Sequence, residues 1–340
     1  MKRCLQLAEI GLADVAPNPM VGAVLVHEGR IIGEGYHKKF GQAHAEVNCI
    51  NSVKEEDAGL IVHSTLYVSL EPCNHHGKTP PCSDLIIDNK IPSVVIACKD
   101  PFSKVDGTGI QKLKQAGVDV LFGILEEEAK ELNRRFFTFH LHQRPYVILK
   151  WAQTADGFIG TSDRKPLKIT NDLTDTIVHK WRSEEASIIV GNQTAVSDNP
   201  SLTTRHWPGK NPVRIFVDWD LRLPSTHHLL DGSVPTVIIN QHQHHHDGNN
   251  LFFQIPQKED LIAALMKLCF VNEWNSIIVE GGSVLLKSFI EKGIWDEARV
   301  IVNTSMNTLS GLSAPELKNN RLLFKQQSGN DSVSYYRRAD

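Results

Sequence analysis

The residues best suited to do chemistry stand in a fixed order: His44-Ala45-Glu46, then Pro72-Cys73, then Cys82. One imidazole and two thiolates make three zinc ligands, and a tetrahedral ion held by three protein groups keeps its fourth position open for water. Zinc held in this way lowers the pKa of water toward about 7, so that hydroxide can attack an electron-poor ring carbon at neutral pH. His-x-Glu followed by Pro-Cys and a second Cys is the order of the zinc deaminases, in which the Glu moves protons and does not bind metal. Residues two apart on a helix do not share a face, so His44 and Glu46 take different tasks. The spacer Asn74–Pro81 is longer than the two residues of that signature. A structural zinc completed by His75 or His76 is the alternative reading, and two ordinary loop cysteines beside a surface histidine is the plainest one.

These groups need elements to position them. Val21–Val26 and Ile31–Tyr36 flank Glu28-Gly29 and read as a hairpin, and a helix over Ala43–Ser52 carries His44 and Glu46. Leu66–Leu70 is a short strand that leads into Glu71-Pro72-Cys73. Ser83–Asn89 reads as a helix, Val94–Ala97 as a strand, Gln111–Ala116 as a helix, Val118–Phe122 as a strand and Glu126–His142 as one charged helix. Strand and helix alternate, as in an α/β domain. Gln143-Arg144-Pro145 interrupts the pattern, which places a boundary between residues 1–143 and 144–340.

The second half alternates again. Strands are expected at Tyr146–Ala152, Ser187–Val190, Arg214–Val217, Thr236–Ile239 and Ser276–Val279, with helices at Asp172–Glu184, Asp260–Cys269 and Ser283–Glu291. No Gly-x-Gly-x-x-Gly follows a strand, so an ordinary dinucleotide fold is not indicated. Glu280-Gly281-Gly282-Ser283 offers another device, because two glycines let backbone approach a ligand and the amides of a helix start favour phosphate. The polar run Gln241–Asn250, with His242, His244, His245 and His246, reads as a solvated loop.

A chain of 340 residues has room for two cores. A net charge of -3 gives no electrostatic reason for a nucleic-acid or membrane partner, which leaves small molecules as ligands. Met1–Gly11 reads as an amphipathic helix, and no run of roughly 18 apolar residues occurs, so a cytoplasmic protein is expected. Cys4, Cys49, Cys98 and Cys269 lie in apolar segments and read as small buried hydrophobes.

Leu70-Glu71-Pro72-Cys73-Asn74-His75-His76-Gly77-Lys78-Thr79-Pro80-Pro81-Cys82 closely resembles the long cysteine loop of the bifunctional riboflavin-pathway deaminase/reductases, the RibD family. Pro17-Asn18-Pro19, Val21-Gly22-Ala23, Gly35-Tyr36-His37 and Lys99-Asp100-Pro101 are similar to the same deaminase half. Lys150–Gly157, Gly191-Asn192-Gln193-Thr194, Asp198–Arg205 and Val279-Glu280-Gly281-Gly282 resemble its reductase half. The resemblance implies a cytidine-deaminase-like three-layer domain followed by a dihydrofolate-reductase-like α/β domain, with Zn2+ and NADPH as cofactors. It implies a phosphoribosylaminopyrimidine substrate that first loses a ring amine and then has its ribose reduced.

By position the resemblance implies zinc ligands His44, Cys73 and Cys82, with Glu46 and Asp198 catalytic. Asn18, His37, His75, Lys78, Asp100, Lys150, Thr170, Arg182, Leu202, Arg205 and Glu280 would meet substrate. Thr154, Asp156, Gly191, Thr194, Gly281, Gly282 and Ser283 would meet cofactor. Guanidinium groups suit a phosphate because they bind it bidentately, which fits Arg182 and Arg205. Phe102, Pro166 and Lys168 depart from the family's usual residues, and Asn303–Ser310 gives no clear match. A homo-oligomer paired through reductase sheets is also implied. The competing functions are a deaminase of another pyrimidine base or nucleoside with a non-catalytic C-terminal domain, and a zinc-stabilised interaction protein without turnover.

Overall fold

The computed structural model describes residues 1–74, 80–102, 107–163, 165–256 and 260–339. The chain divides into two compact units, Met1–Gln143 and Arg144–Asp340.

The first unit runs α1 (Lys2–Glu9), β1 (Gly22–His27), β2 (Arg30–Tyr36), α2 (Ala45–Asn51), β3 (Thr65–Leu70), α3 (Cys82–Asp88), β4 (Ser93–Cys98), α4 (Thr108–Gln115), β5 (Asp119–Phe122), α5 (Glu126–Leu132) and α6 (Arg134–His142). Its sheet has the order β2-β1-β3-β4-β5. β1 is antiparallel to both β2 and β3, whereas β3, β4 and β5 are parallel. Successive side chains of a strand point to opposite faces. Ala23 and Leu25 accordingly pack with Ala45 and Cys49 of α2 and Ile86 of α3, while Val24 packs with Cys4 and Leu7 of α1. Helices therefore cover both faces, giving three layers.

The expected single helix over Glu126–His142 is broken at Asn133. Asn133 is buried, and its side chain accepts from the Met20 amide (2.8 Å) and donates to the Met20 carbonyl (2.9 Å). An Asn that finds such backbone partners competes with helix continuation.

The second unit runs β6 (Tyr146–Thr154), β7 (Phe158–Gly160), α7 (Asp172–Glu184), β8 (Ser187–Val190), α8 (Asn192–Asp198), β9 (Val213–Val217), β10 (Thr236–Asn240), β11 (His245–Asp247), β12 (Asn250–Gln254), α9 (Leu261–Val271), β13 (Ser276–Val279), α10 (Ser283–Lys292), β14 (Glu297–Asn303), β15 (Leu312–Ser313), β16 (Asn320–Ser328) and β17 (Asp331–Arg338). One large sheet has the order β11-β12-β10-β9-β8-β13-β6-β14-β17-β16. Its centre, from β10 through β14, is parallel. Parallel strands covered on both faces read as continuous apolar runs. Val147 and Leu149 pack with α9 and α10, whereas Tyr146 and Ile148 pack with α7.

Two departures from the sequence reading occur here. The expected loop Gln241–Asn250 contains strand β11, whose His245–Asp247 pair with β12 while staying exposed. The strands β14, β16 and β17, which end the sheet, were not expected. Among the described residues no helix is long and apolar enough to cross a membrane.

Candidate active sites

In the first unit, chain geometry brings the metal-ligand candidates together at two helix starts. His44 is the N-cap of α2, Cys82 is the first residue of α3, and Cys73 follows β3. His44 Nδ1 lies 3.3 Å from Cys82 Sγ and 3.6 Å from Cys73 Sγ, and the donor atoms of all three residues fall within 4.8 Å of one another. Bond lengths of ~2.0 and ~2.3 Å to a tetrahedral zinc put neighbouring N and S donors about 3.5 Å apart. The donor set therefore fits zinc, and no fourth His, Cys, Asp or Glu joins it among the described residues. The Cys73 thiol is held down at about 4, chiefly by hydrogen bonding to Cys82, against the opposing pull of burial and with help from His44. A thiolate ligand is thus available at neutral pH.

Glu46, in the first turn of α2, is buried, and burial pushes its carboxyl above the usual carboxylate range. It stands outside the ligand group. His37 is also buried. Its Nδ1 faces the Ala43 carbonyl (3.0 Å) and its Nε2 faces Asn18 Nδ2 (3.2 Å), while burial pulls its pKa down. A neutral ring that donates through Nδ1 and accepts from Asn18 satisfies both contacts, which leaves the Asn18 carbonyl oxygen for another donor. Asp100 is buried and accepts from the Phe102 amide (2.8 Å). His75 and Lys78 lie outside the described residues.

The sequence reading missed the task of Glu71. Its buried carboxylate accepts from the amides of Gly107 (2.9 Å), Gly109 (2.9 Å) and Ile110 (3.1 Å), capping α4. A Cβ on Gly109 would meet the Pro72 carbonyl at 2.0 Å, so glycine there lets α4 close on the Glu71-Pro72-Cys73 turn. The signal was a carboxylate two residues before a ligand.

In the second unit a cavity of about 750 Å³ opens at the carboxyl ends of β6, β8 and β13. Chain leaves β8 into α8 on one face and β13 into α10 on the other, and ligands bind in the crevice outside the strand ends at such a switch. Lys150, Thr170, Arg182, Asp198, Leu202 and Glu280 line it, together with Gly191, Thr194 and the turn Gly281-Gly282-Ser283. Gly281 (φ 110) and Gly282 (φ 47) adopt conformations that favour glycine, and a Cβ on Gly282 would come within 3.4 Å of Thr194 Oγ1. The turn thus presents bare backbone to the cavity at the start of α10.

Arg182 is placed otherwise than as a free phosphate clamp. Its Nε and Nη2 donate to the two Glu280 oxygens (2.9 and 2.7 Å), its Nη1 donates to the Thr203 carbonyl (3.3 Å), and Lys150 Nζ lies 3.5 Å from Glu280. Burial would raise the Glu280 carboxyl, but Arg182 and Lys150 hold it at about 2. Thr154 and Asp156 are absent from the cavity lining. Thr154 Oγ1 donates to Asp156 (2.6 Å), and Asp156 accepts from the amides of Thr308 and Leu309, so both organise a turn. Arg205 also stands outside the lining, exposed, donating to Thr203 Oγ1 (2.9 Å). Burial raises the Asp198 carboxyl.

Comparison with known proteins agrees with two sites of different kinds. The family model described as the cytidine and deoxycytidylate deaminase zinc-binding region matches residues 1–98, and that of the RibD C-terminal domain matches residues 145–306. The riboflavin biosynthesis protein RibD of Aquifex aeolicus is 39% identical over 89% of this chain and 85% of its own length. The chain belongs to the RibD family. The Escherichia coli K12 member is 33% identical over 89% of this chain and 86% of its own length. A Thermotoga maritima crystal structure, titled a diaminohydroxyphosphoribosylaminopyrimidine deaminase/5-amino-6-(5-phosphoribosylamino)uracil reductase, aligns with TM-score 0.89 at 33% identity, covering 100% of this chain and 97% of that one. Like other RibD proteins, the chain is a bifunctional enzyme of riboflavin biosynthesis, a hydrolytic deaminase and an NADPH-dependent reductase that uses zinc. Its fold joins a cytidine-deaminase-like domain to a dihydrofolate-reductase-like one.

Proposed function

We propose that residues 1–143 deaminate the diaminohydroxyphosphoribosylaminopyrimidine and that residues 144–340 reduce the resulting 5-amino-6-(5-phosphoribosylamino)uracil to its ribityl form. The observation that carries the first half is the three-donor cluster with a buried carboxylate beside it and no fourth ligand among the described residues. His44, Cys73 and Cys82 would hold the zinc ion, which supplies hydroxide at neutral pH. Glu46 takes the proton from the attacking water and hands it to the departing amine, so ammonia leaves and oxygen takes its place on the ring. Asn18, His37 and Asp100 are the described residues that the family resemblance assigns to the substrate, with Asn18 and His37 suited to a pyrimidine edge; the same resemblance assigns His75 and Lys78, the latter as a point charge for phosphate.

In the second unit NADPH would lie along Gly191, Thr194 and the Gly281-Gly282-Ser283 turn, and it supplies the hydride. Asp198, whose raised pKa favours the protonated form, delivers or positions the proton at the sugar. Lys150, Glu280 and Arg182 form one ion-paired wall that keeps an excess of positive charge, with Thr170 and Leu202 beside it. Arg205 meets no carboxylate among the described residues and is left to take the phosphate. Thr154 and Asp156 shape the cofactor side through their turn.

We place the enzyme in the cytoplasm, acting on a small molecule without a nucleic-acid partner, in line with its net charge of -3. A homo-oligomer is part of the reading: β16 ends the large sheet with Leu322, Leu323 and Phe324 exposed. The deciding experiment supplies the pathway pyrimidine and, separately, cytidine. Ammonia release followed by NADPH consumption with the first alone is the expected result. Deamination of cytidine with no NADPH consumed on any pyrimidine would sink the proposal.

A further inference from the structure

One side chain behind the cavity wall is buried with every donor engaged. Arg214, on β9, is fully buried. Its Nε donates to Thr236 Oγ1 (2.9 Å), its Nη1 to the carbonyls of His228 (2.9 Å) and Ser201 (3.4 Å), and its Nη2 to Asp231 Oδ1 (3.0 Å) and the Val234 carbonyl (3.2 Å). Every N–H of the guanidinium is thereby used. A buried cation is tolerated only when its partners are all in place, so this arrangement fixes the groups that supply them.

One of those groups belongs to the cavity. Ser201 lies between Pro200 and Leu202, both of which line it, while Arg214 itself does not. The same short segment holds two non-glycine residues in left-handed backbone, Asn199 (φ 41) and Leu202 (φ 52). Such conformations persist where the surroundings over-determine them. A second link runs in parallel: Asn199 Oδ1 accepts from the His228 amide (2.8 Å), and the His228 carbonyl accepts from Arg214. Asp198, the residue before Asn199, ends α8 and faces the cavity.

We infer that Arg214 is a positioning residue of the reductase, holding Asp198 and Leu202 at the cavity wall by fixing Ser201 directly and Asn199 through His228. The inference rests on the reading of Asp198 given above. Arg214 touches neither substrate nor cofactor; its effect reaches the reaction only through that strained segment.

The test uses full-length protein and the already deaminated intermediate, with ammonia release from the first unit as the internal standard of active enzyme. Arg214→Lys keeps a cation but cannot reach all the acceptors. It should lower the reductase kcat at least tenfold, change either KM less than twofold and leave deamination unchanged. In an Asp198→Asn background the same change should lower kcat by less than a further twofold, because residues that act as one unit are not additive. Equal factors in both backgrounds, or an unchanged kcat, would overturn the inference. If Asp198→Asn alone leaves kcat unchanged, the reading of Asp198 fails first and takes the inference with it. Should Arg214→Lys lose cooperative unfolding of the second unit, Asn199→Ala breaks the other arm of the circuit and is judged by the same criteria.

Discussion

The two sites differ in how far apart in sequence their parts lie. The zinc donors come from residues 44 to 82, from two helix starts and one turn. The reductase cavity draws on Lys150, Arg182, Asp198 and Glu280, and its central ion pair joins residues 98 positions apart. A metal centre needs donor types at the right local places, so a short motif carries most of its chemistry. A cavity between parallel strands is made by sheet order, which no local pattern states. The first site should therefore break at single residues, and the second should yield by degrees across a network.

The largest effect expected is in the metal site. Glu46→Gln keeps shape and zinc but cannot shuttle a proton, so ammonia release should fall by about 10²-fold or more while NADPH oxidation on the deaminated intermediate is unchanged. Elemental analysis would establish that zinc remains. Near-normal ammonia release would remove Glu46 from the mechanism.

Next is the independence of the halves. Residues 144–340 produced alone should fold and consume NADPH with the deaminated intermediate at a rate close to that of the full chain. An unfolded fragment, by circular dichroism, would show that the second core depends on the first.

Within the reductase network, Glu280→Gln should cost about 3 kcal/mol of stability at pH 7, because it leaves Arg182 and Lys150 without their carboxylate. The Glu280 carboxyl is held at about 2, below its ordinary 4.5. Its contribution is thus complete above about pH 4.5 and is lost as pH falls toward 2. Urea titrations of both proteins should converge across that window; a constant difference down to pH 2 would refute the charge argument.

The smallest effect belongs to Arg205. Arg205→Ala should raise the reductase KM for the phosphorylated intermediate about tenfold with kcat nearly unchanged, since an exposed phosphate contact contributes roughly 1.4 kcal/mol. A loss confined to kcat would move Arg205 into the chemical step.

What could be read beforehand follows the same divide. Short continuous apolar runs located the central strands of both sheets, because those strands are buried on both faces. The clustering of His44, Cys73 and Cys82 was legible because their types and order match a three-ligand zinc signature. Arg182 was read as a phosphate clamp because an arginine on a helix does not disclose a partner in the turn after β13. Thr154 and Asp156 resemble cofactor contacts in sequence, yet Thr154 spends its hydroxyl on Asp156 and Phe158, and Asp156 binds the amides of a loop more than a hundred residues away. Strand β16 escaped notice since it is exposed along nearly its whole length and has no buried face to mark it. Asn133 hid inside a charged helical run, where nothing local distinguishes a solvent-facing Asn from one that reaches back to Met20.

That break sets how short a working deaminase can be. The matched zinc-binding region stops at residue 98, yet the backbone beside Asn18 is tethered at Met20 by a side chain that arrives from position 133. An excised piece ending at the match would carry His44, Cys73 and Cys82 and lose that tether, leaving the loop around Asn18 to find its own conformation. A deaminase fragment that keeps this tether has to extend past Asn133.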